Sequence, residues 1–235
     1  MNSFDWQRKL TILCGLLGVV IVITGCVVTA LPFHGEQGEN YSVLNHFISE
    51  LGIVGVSKLA AVFNGSLTCA GLVIAVFMAG LGRHLQTALA QTASVAGVAS
   101  GALCSVVGRI PMNDLVPHLW AAFAFFSCGL LTVGLFCVEI ARDKEERLPR
   151  WLAVAGLLAF VSFAAFLAYP LVTRQTPFEI VRISRTARPD IWAVAILEWL
   201  VLITVTAWII LVSACLWLQK TATVISGRQE RPSST

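Results

Sequence analysis

The chain has 235 residues, of which only 12% are charged (16 Lys+Arg against 13 Asp+Glu, net +3), while 57% are apolar and the mean hydropathy is +0.82. A soluble domain carries about 25% charged residues, and a disordered segment needs low hydrophobicity, so both classes are excluded. That much apolar surface does not fit inside one core of this size, which leaves a polytopic membrane protein.

A bilayer core about 30 Å thick takes roughly 20 apolar residues of helix. Six stretches reach that length: Leu10–Leu31, Leu59–Leu81, Ala88–Val107, Pro117–Ile140, Trp151–Val172 and Ile191–Leu218. The alternation of period two that marks barrel strands is absent, so the expected fold is all-α, a bundle of six transmembrane helices spanning 1–218. Arg8, Lys9, Arg83, Arg142, Lys144, Arg147, Arg150, Lys220, Arg228 and Arg231 fall on one side of the membrane. Lys58, Arg109, Arg174, Arg182, Arg185 and Arg188 fall on the other. The ten-to-six excess predicts that both termini are cytoplasmic. The expected location is the cell's inner or plasma membrane.

The first span follows Arg8-Lys9 and contains Ile23-Thr24-Gly25-Cys26, a pattern that also resembles a lipoprotein signal. Signal cores run about 7–15 residues, and this apolar run is longer, so a retained helix is expected. The segment after it, PFHGEQGENYSVLNHFISELGIVGVSK, is too amphipathic for a plain loop. Val43, Leu44, Phe47, Ile48 and Leu51 interleave with His46, Ser49 and Glu50, which fits a short re-entrant or interfacial helix. Ser49 beside histidines and acids suggests a nucleophile, but no nucleophile-elbow glycine pattern accompanies it. His34 with Glu36 is a loose pair, short of a metal-ligand set, and no metal is expected. Asn40-Tyr41-Ser42 is a glycosylation triplet, relevant only in a eukaryotic host.

The third span is the least oily. Ala93, Gly97, Gly101 and Ser105 make one stripe of small residues, and Ala96, Ser100, Cys104 and Gly108 a parallel one. Small residues four apart let helix backbones approach closely, which points to a central position in the bundle. The next segment, GRIPMNDLVPHLW, places Asp114 four residues before His118, with Pro117 between them. Should the helix start early, the acid could orient the imidazole; should Pro117 hold Val116 out of helical geometry, Asp114 is a loop residue. The run ARDKEERLPR reads as a solvated face. Pro170 should kink the fifth span or end its regular part.

The fifth connecting segment carries Arg182, Arg185, Arg188 and Asp190; the arginines either attract lipid phosphate or form an exposed basic face. The sixth span contains Glu198, roughly 10 Å below its outer end at about 1.5 Å per residue. A carboxylate at that depth costs on the order of 2–3 kcal/mol, so it should face the bundle interior, paired with a cation or carrying a proton. His118 and Arg109 are the candidate partners. The residue is either a functional acid or a structural one that fixes helix register. The seven cysteines all lie within spans and form no CxxC pair, so they read as small packing residues. The polar tail, 219–235, is expected to be disordered.

Three motifs occur in order: ISELG-x5-KLAAVFNGSL into the second span, PHLWAAFAFF opening the fourth, and ILEW in the sixth. Together they resemble a group of six-helix membrane proteins. The group includes the bacterial family called domain of unknown function 998, and the eukaryotic damage-regulated autophagy modulators and GPI-anchor lipid-remodelling proteins. Eukaryotic members more often show ISD-x-G followed by P-E; Glu50 and the lack of proline before Phe63 put this chain nearer the bacterial group. The resemblance implies a six-helix bundle and a loose connection to membrane lipids, with Ser49, Glu50, Phe63, His118 and Glu198 on motif positions.

Three functions remain in view. One is a lipid-handling protein with an outer-facing polar pocket lined by Glu50, Arg109, His118 and Glu198, with Asp114, His46, Ser49 and Asp190 also near the ligand. The second is an intramembrane enzyme acting on a lipid or isoprenoid, with Glu198 or Glu50 as general acid and His118 as partner. The third is an ion-coupled transporter, for which broken or inverted-repeat helices are not evident. The expected partners are membrane lipids, or a hydrophobic small-molecule substrate. No nucleic acid and no cofactor are expected.

Overall fold

The computed structural model describes residues 3–229, with side chains described for 5–219. Among the described residues there are seven α-helices: α1 (Ser3–Ala30), α2 (Ala60–Leu85), α3 (Ala88–Arg109), α4 (Leu115–Arg142), α5 (Trp151–Thr173), α6 (Pro177–Thr186) and α7 (Ala193–Gln229). Six of them, all but α6, are long and apolar enough to cross a membrane. A short 3-10 helix, Ile48–Gly52, precedes α2. Among the described residues the only β pairing is an isolated bridge between His34 and Asn40. Of the expected polar tail, side chains from 220 onward and residues 230–235 lie outside the described residues.

Each span packs on its neighbours in sequence, and α7 closes the ring by packing on both α5 and α1. Dispersion and close approach hold such a ring, because lipid offers the helices no hydrophobic drive to associate. The tightest seam joins α2 and α3. A Cβ placed on Gly101 would stand 2.6 Å from the Gly71 carbonyl, and one on Gly108 would stand 2.7 Å from the Asn64 carbonyl. The Ser105 hydroxyl donates to the Thr68 carbonyl at 2.8 Å, and Ser94 donates to Met78 at 2.9 Å. The second stripe reaches α4 through Ser100, which donates to the Phe125 carbonyl at 3.2 Å. This corrects the central position expected for α3: its small residues seat it between α2 and α4 as a member of the ring. Leu13, Val20, Val95, Leu158 and Ile203 point outward, exposed, as lipid-facing side chains do.

At two prolines the helices run on where the sequence suggests a break. α4 begins at Leu115, ahead of Pro117, and the His118 amide donates to the Asp114 carbonyl at 3.0 Å. Pro117 sits in the first turn, where its missing N–H leaves no bond unmade. α5 continues through Pro170 to Thr173 and ends at Arg174, whose φ of 56° is left-handed. The fifth connection, a basic segment by sequence, holds the helix α6. Thr176 caps it, its hydroxyl accepting from the Glu179 amide at 3.2 Å while the Glu179 carboxylate accepts from the Thr176 amide at 2.6 Å, and Pro177 stands at the first helical position.

Candidate functional site

The first, third and fifth connections meet on one face of the bundle and roof it. The 3-10 helix is the keystone, and four separate elements pin it. From α7, Glu198 accepts the Ile48 amide at 2.7 Å. From α2, Asn64 donates to the Gly52 carbonyl at 3.0 Å. From the segment before α4, Asn113 brackets Val54, accepting its amide at 2.9 Å and donating to its carbonyl at 3.0 Å. From the segment after α6, Arg188 grips Glu50 with both guanidinium nitrogens, at 3.1 and 2.7 Å, and donates to the Asn45 carbonyl at 2.9 Å. The second Glu50 duty is local: its carboxylate accepts the Phe47 amide at 2.9 Å. A buried carboxylate is tolerable only when so fully engaged.

An aromatic cluster anchors the chain ahead of that helix. The Trp199 indole donates to the Tyr41 hydroxyl at 3.2 Å, and Tyr41 donates to the Phe47 carbonyl at 3.0 Å. Phe33 stands edge-on to Tyr41 and His46, with ring centroids 5.3 and 5.5 Å away. Burial pushes the Tyr41 hydroxyl well above the ordinary phenol value, so it remains a neutral donor. α6 lies over this layer, burying Ile180 beside Phe47 and Trp192, and Val181 beside Ile53 and Met112.

The roof separates two cavities. Above it is a polar pocket of about 250 Å³ lined by Glu39, His46, Glu50, Arg185, Arg188 and Asp190, with other loop residues. His46 is buried, and its Nε2 stands 3.7 Å from Glu39. Burial holds the His46 imidazole below its ordinary value, against the pull of Glu50. Burial raises the Glu39 carboxyl, but the backbone amides of Glu39 and Gln37, together with Arg188, outweigh it and hold it below the usual range.

Beneath the roof, within the bundle, is a cavity of about 140 Å³. Its walls come from α1, α2, α3, α4, α5 and α7 and are mostly Val, Leu, Phe, Ala and Gly, from Val22 and Phe63 down to Met78 and Ile209. Its roofed end holds three chemically capable side chains: Ser49, His118 and Glu198. His118 and Glu198 are buried, at 4% and 8% exposure.

The single outer pocket expected from sequence is thus two. Ser49 and Glu50 are adjacent, yet Ser49 lines the lower cavity and Glu50 the upper pocket. Glu198 takes a backbone amide where His118 or Arg109 had been expected as its partner. His118 Nδ1 engages the Ile110 carbonyl at 2.6 Å, and among the described residues no hydrogen bond or ion pair joins the ring to the exposed Asp114. Arg109 is exposed at the end of α3 and lines neither cavity. Asp190 is exposed at the rim of the polar pocket. Among the described residues Ser49 and His118 share no hydrogen bond, so the nucleophile–base link that a serine mechanism needs is not assembled. Tyr41, Asn64, Asn113 and Trp199 also hold the roof, and nothing in the sequence marks them as site residues. Of the roof's parts, the charge of Glu198 within an apolar span and the Thr-Pro-x-Glu capping box of α6 carry a local signature.

Six spanning helices with a roofed apolar cavity define a multi-pass membrane protein of helical-bundle type. Residues 12–214 match the family described as "Protein of unknown function (DUF998)", and the chain belongs to that family. No curated protein and no solved structure matches it.

Proposed function

We propose that this protein binds a membrane lipid, or a hydrophobic small molecule that partitions with lipid, by seating hydrocarbon in the bundle cavity. The observation that carries the reading is the cavity's composition: about 140 Å³ of apolar space, ended by Ser49, His118 and Glu198. A dry apolar cavity of about 150 Å³ accommodates a benzene-sized group, so the space suits part of a chain or ring. The wall hydroxyls of Ser100, Thr132 and Thr206 donate to backbone carbonyls, so the polar groups with capacity to spare are few and gathered at one end, the arrangement that orients an amphiphile. The four-way fastening of the roof keeps the space from collapsing.

The test is native mass spectrometry of the protein extracted in mild detergent. The wild type should retain a co-purified lipid or apolar adduct. Ala122→Phe, which fills the cavity from its wall, should lose the adduct while keeping its unfolding temperature within a few degrees. Full occupancy in that variant, at unchanged stability, would sink the proposal.

A further inference from the structure

The polar end of the bundle cavity has a definite hydrogen-bonding character, readable from the atoms the protein already uses. His118 Nδ1 stands 2.6 Å from the Ile110 carbonyl. A carbonyl only accepts, so Nδ1 carries a proton, and in its neutral form the ring leaves Nε2 with a lone pair. Glu198 spends Oε2 on the Ile48 amide at 2.7 Å, and its other oxygen has no hydrogen bond among the described residues. The Ser49 hydroxyl has none either, and it can donate or accept. All three residues line the same cavity, and two of them are more than nine-tenths buried.

Each chemical class of head group meets this set differently. A phosphate or carboxylate brings several acceptors and negative charge, and would face the Nε2 lone pair and the Glu198 carboxyl with only the Ser49 hydroxyl to donate. An ammonium would carry a full charge into a space walled by valine, leucine and phenylalanine. A hydroxyl donates once and accepts once. It can give its proton to Nε2 or to the free Glu198 oxygen and receive one from Ser49.

We infer that the ligand of this cavity is a hydroxyl-bearing amphiphile, a neutral lipid alcohol, whose hydroxyl lies beneath the Ile48–Gly52 helix between Ser49, His118 and Glu198. The inference rests on the cavity's being a hydrocarbon seat, and it adds the head-group chemistry.

Four matched probes of the cavity's size decide it: benzyl alcohol, benzyl methyl ether, benzyl phosphate and benzylamine. Each is titrated by ligand-observed NMR against the full chain in detergent. Benzyl alcohol should bind about tenfold more tightly than the ether, which keeps the ring and the acceptor but replaces the donor hydrogen with a methyl group. His118→Leu should reduce that preference to about twofold or less while leaving the ether's affinity unchanged. Ser49→Ala, which removes no hydrogen bond within the protein, should weaken alcohol binding more than ether binding and serves if His118→Leu fails to fold. Alcohol and ether bound equally by the wild type would overturn the head-group inference and leave the hydrocarbon seat standing. Phosphate or amine bound most tightly would do the same. Binding of none of the four would overturn both.

Discussion

The two ends of the bundle are built from the same six helices and packed in opposite ways. Toward the termini the interior is solid: Phe77, Leu81, Leu85, Phe136, Ile140, Leu148, Leu152 and Trp208 are all fully buried in one cluster. Toward the roofed face the interior is hollow, and the walls turn to Ala70, Gly71, Gly101, Ala122 and Gly129 among larger residues. Apolar content does not distinguish the ends, since both are oily. Side-chain volume does. The solid end needs no polar fastening in its middle, whereas the hollow end is capped by hydrogen bonds and a buried ion pair that replace the missing packing. The contrast teaches that cohesion in this bundle comes from dispersion at one end and from a tied roof at the other.

That division can be tested by removing what each end depends on. Trp208→Ala should be the costliest change, about 3–5 kcal/mol, because it leaves a void that the surrounding phenylalanines and leucines cannot fill. Val201→Ala, which only widens the existing cavity, should cost far less. Unfolding temperatures in a common detergent give the comparison, and equal losses would mean that the ends are packed alike.

At the roof, Arg188→Ala should cost about 3–5 kcal/mol by stranding the buried Glu50 carboxylate. The paired change Arg188→Met with Glu50→Gln should recover much of that loss, since no charge is then left unpaired. A double variant no better than the single one would show that Arg188 acts by filling space. At the α2–α3 seam, Gly101→Val should cost about 1–3 kcal/mol, because its new side chain meets the Gly71 backbone, which cannot step aside. Glu198→Ala should cost about 1–3 kcal/mol by orphaning the Ile48 amide, and Glu198→Gln, which keeps an acceptor, should cost less. Limited proteolysis within residues 42–52 would report that loosening directly, and equal cleavage of both variants would contradict it.

The solid end was legible in the sequence and the hollow end was not. Apolar runs bounded by charges mark the spans to within a few residues, because the cost of burying a charge in lipid acts on every residue locally. The same cost singled out Glu198. What satisfies Glu198 was hidden, because a backbone amide such as that of Ile48 looks alike at every position. The Arg188–Glu50 pair joins positions 138 apart, and nothing local marks Arg188 from Arg182 or Arg185. A cavity is harder still, since it is the sum of small omissions on six helices. The stripe on α3 pointed to close packing, and part of it does pack closely, yet Gly97, Ser100 and Gly101 also line the space.

The smallest effect belongs to the polar pocket above the roof, and it is a matter of pH. His46 in the folded protein titrates below its ordinary value of 6.5, chiefly because it is buried. Above pH 6.5 the ring is neutral in both folded and unfolded chains, and its contribution to stability is complete. As pH falls below 6.5 the unfolded chain takes up the proton first, so the folded state loses stability until pH passes the folded value. Glu39, held below 4.5, acts in the same direction in a lower window: its stabilisation is full above 4.5 and is lost as pH falls through its folded value. Unfolding temperatures measured between about pH 8 and pH 5 should therefore decline mainly below 6.5, within the histidine window. His46→Gln should flatten that decline without altering the Trp208→Ala penalty, because no residue of the pocket lining belongs to the solid cluster. A decline of the same slope in His46→Gln would assign the proton uptake to another group and detach the pocket from the roof's stability.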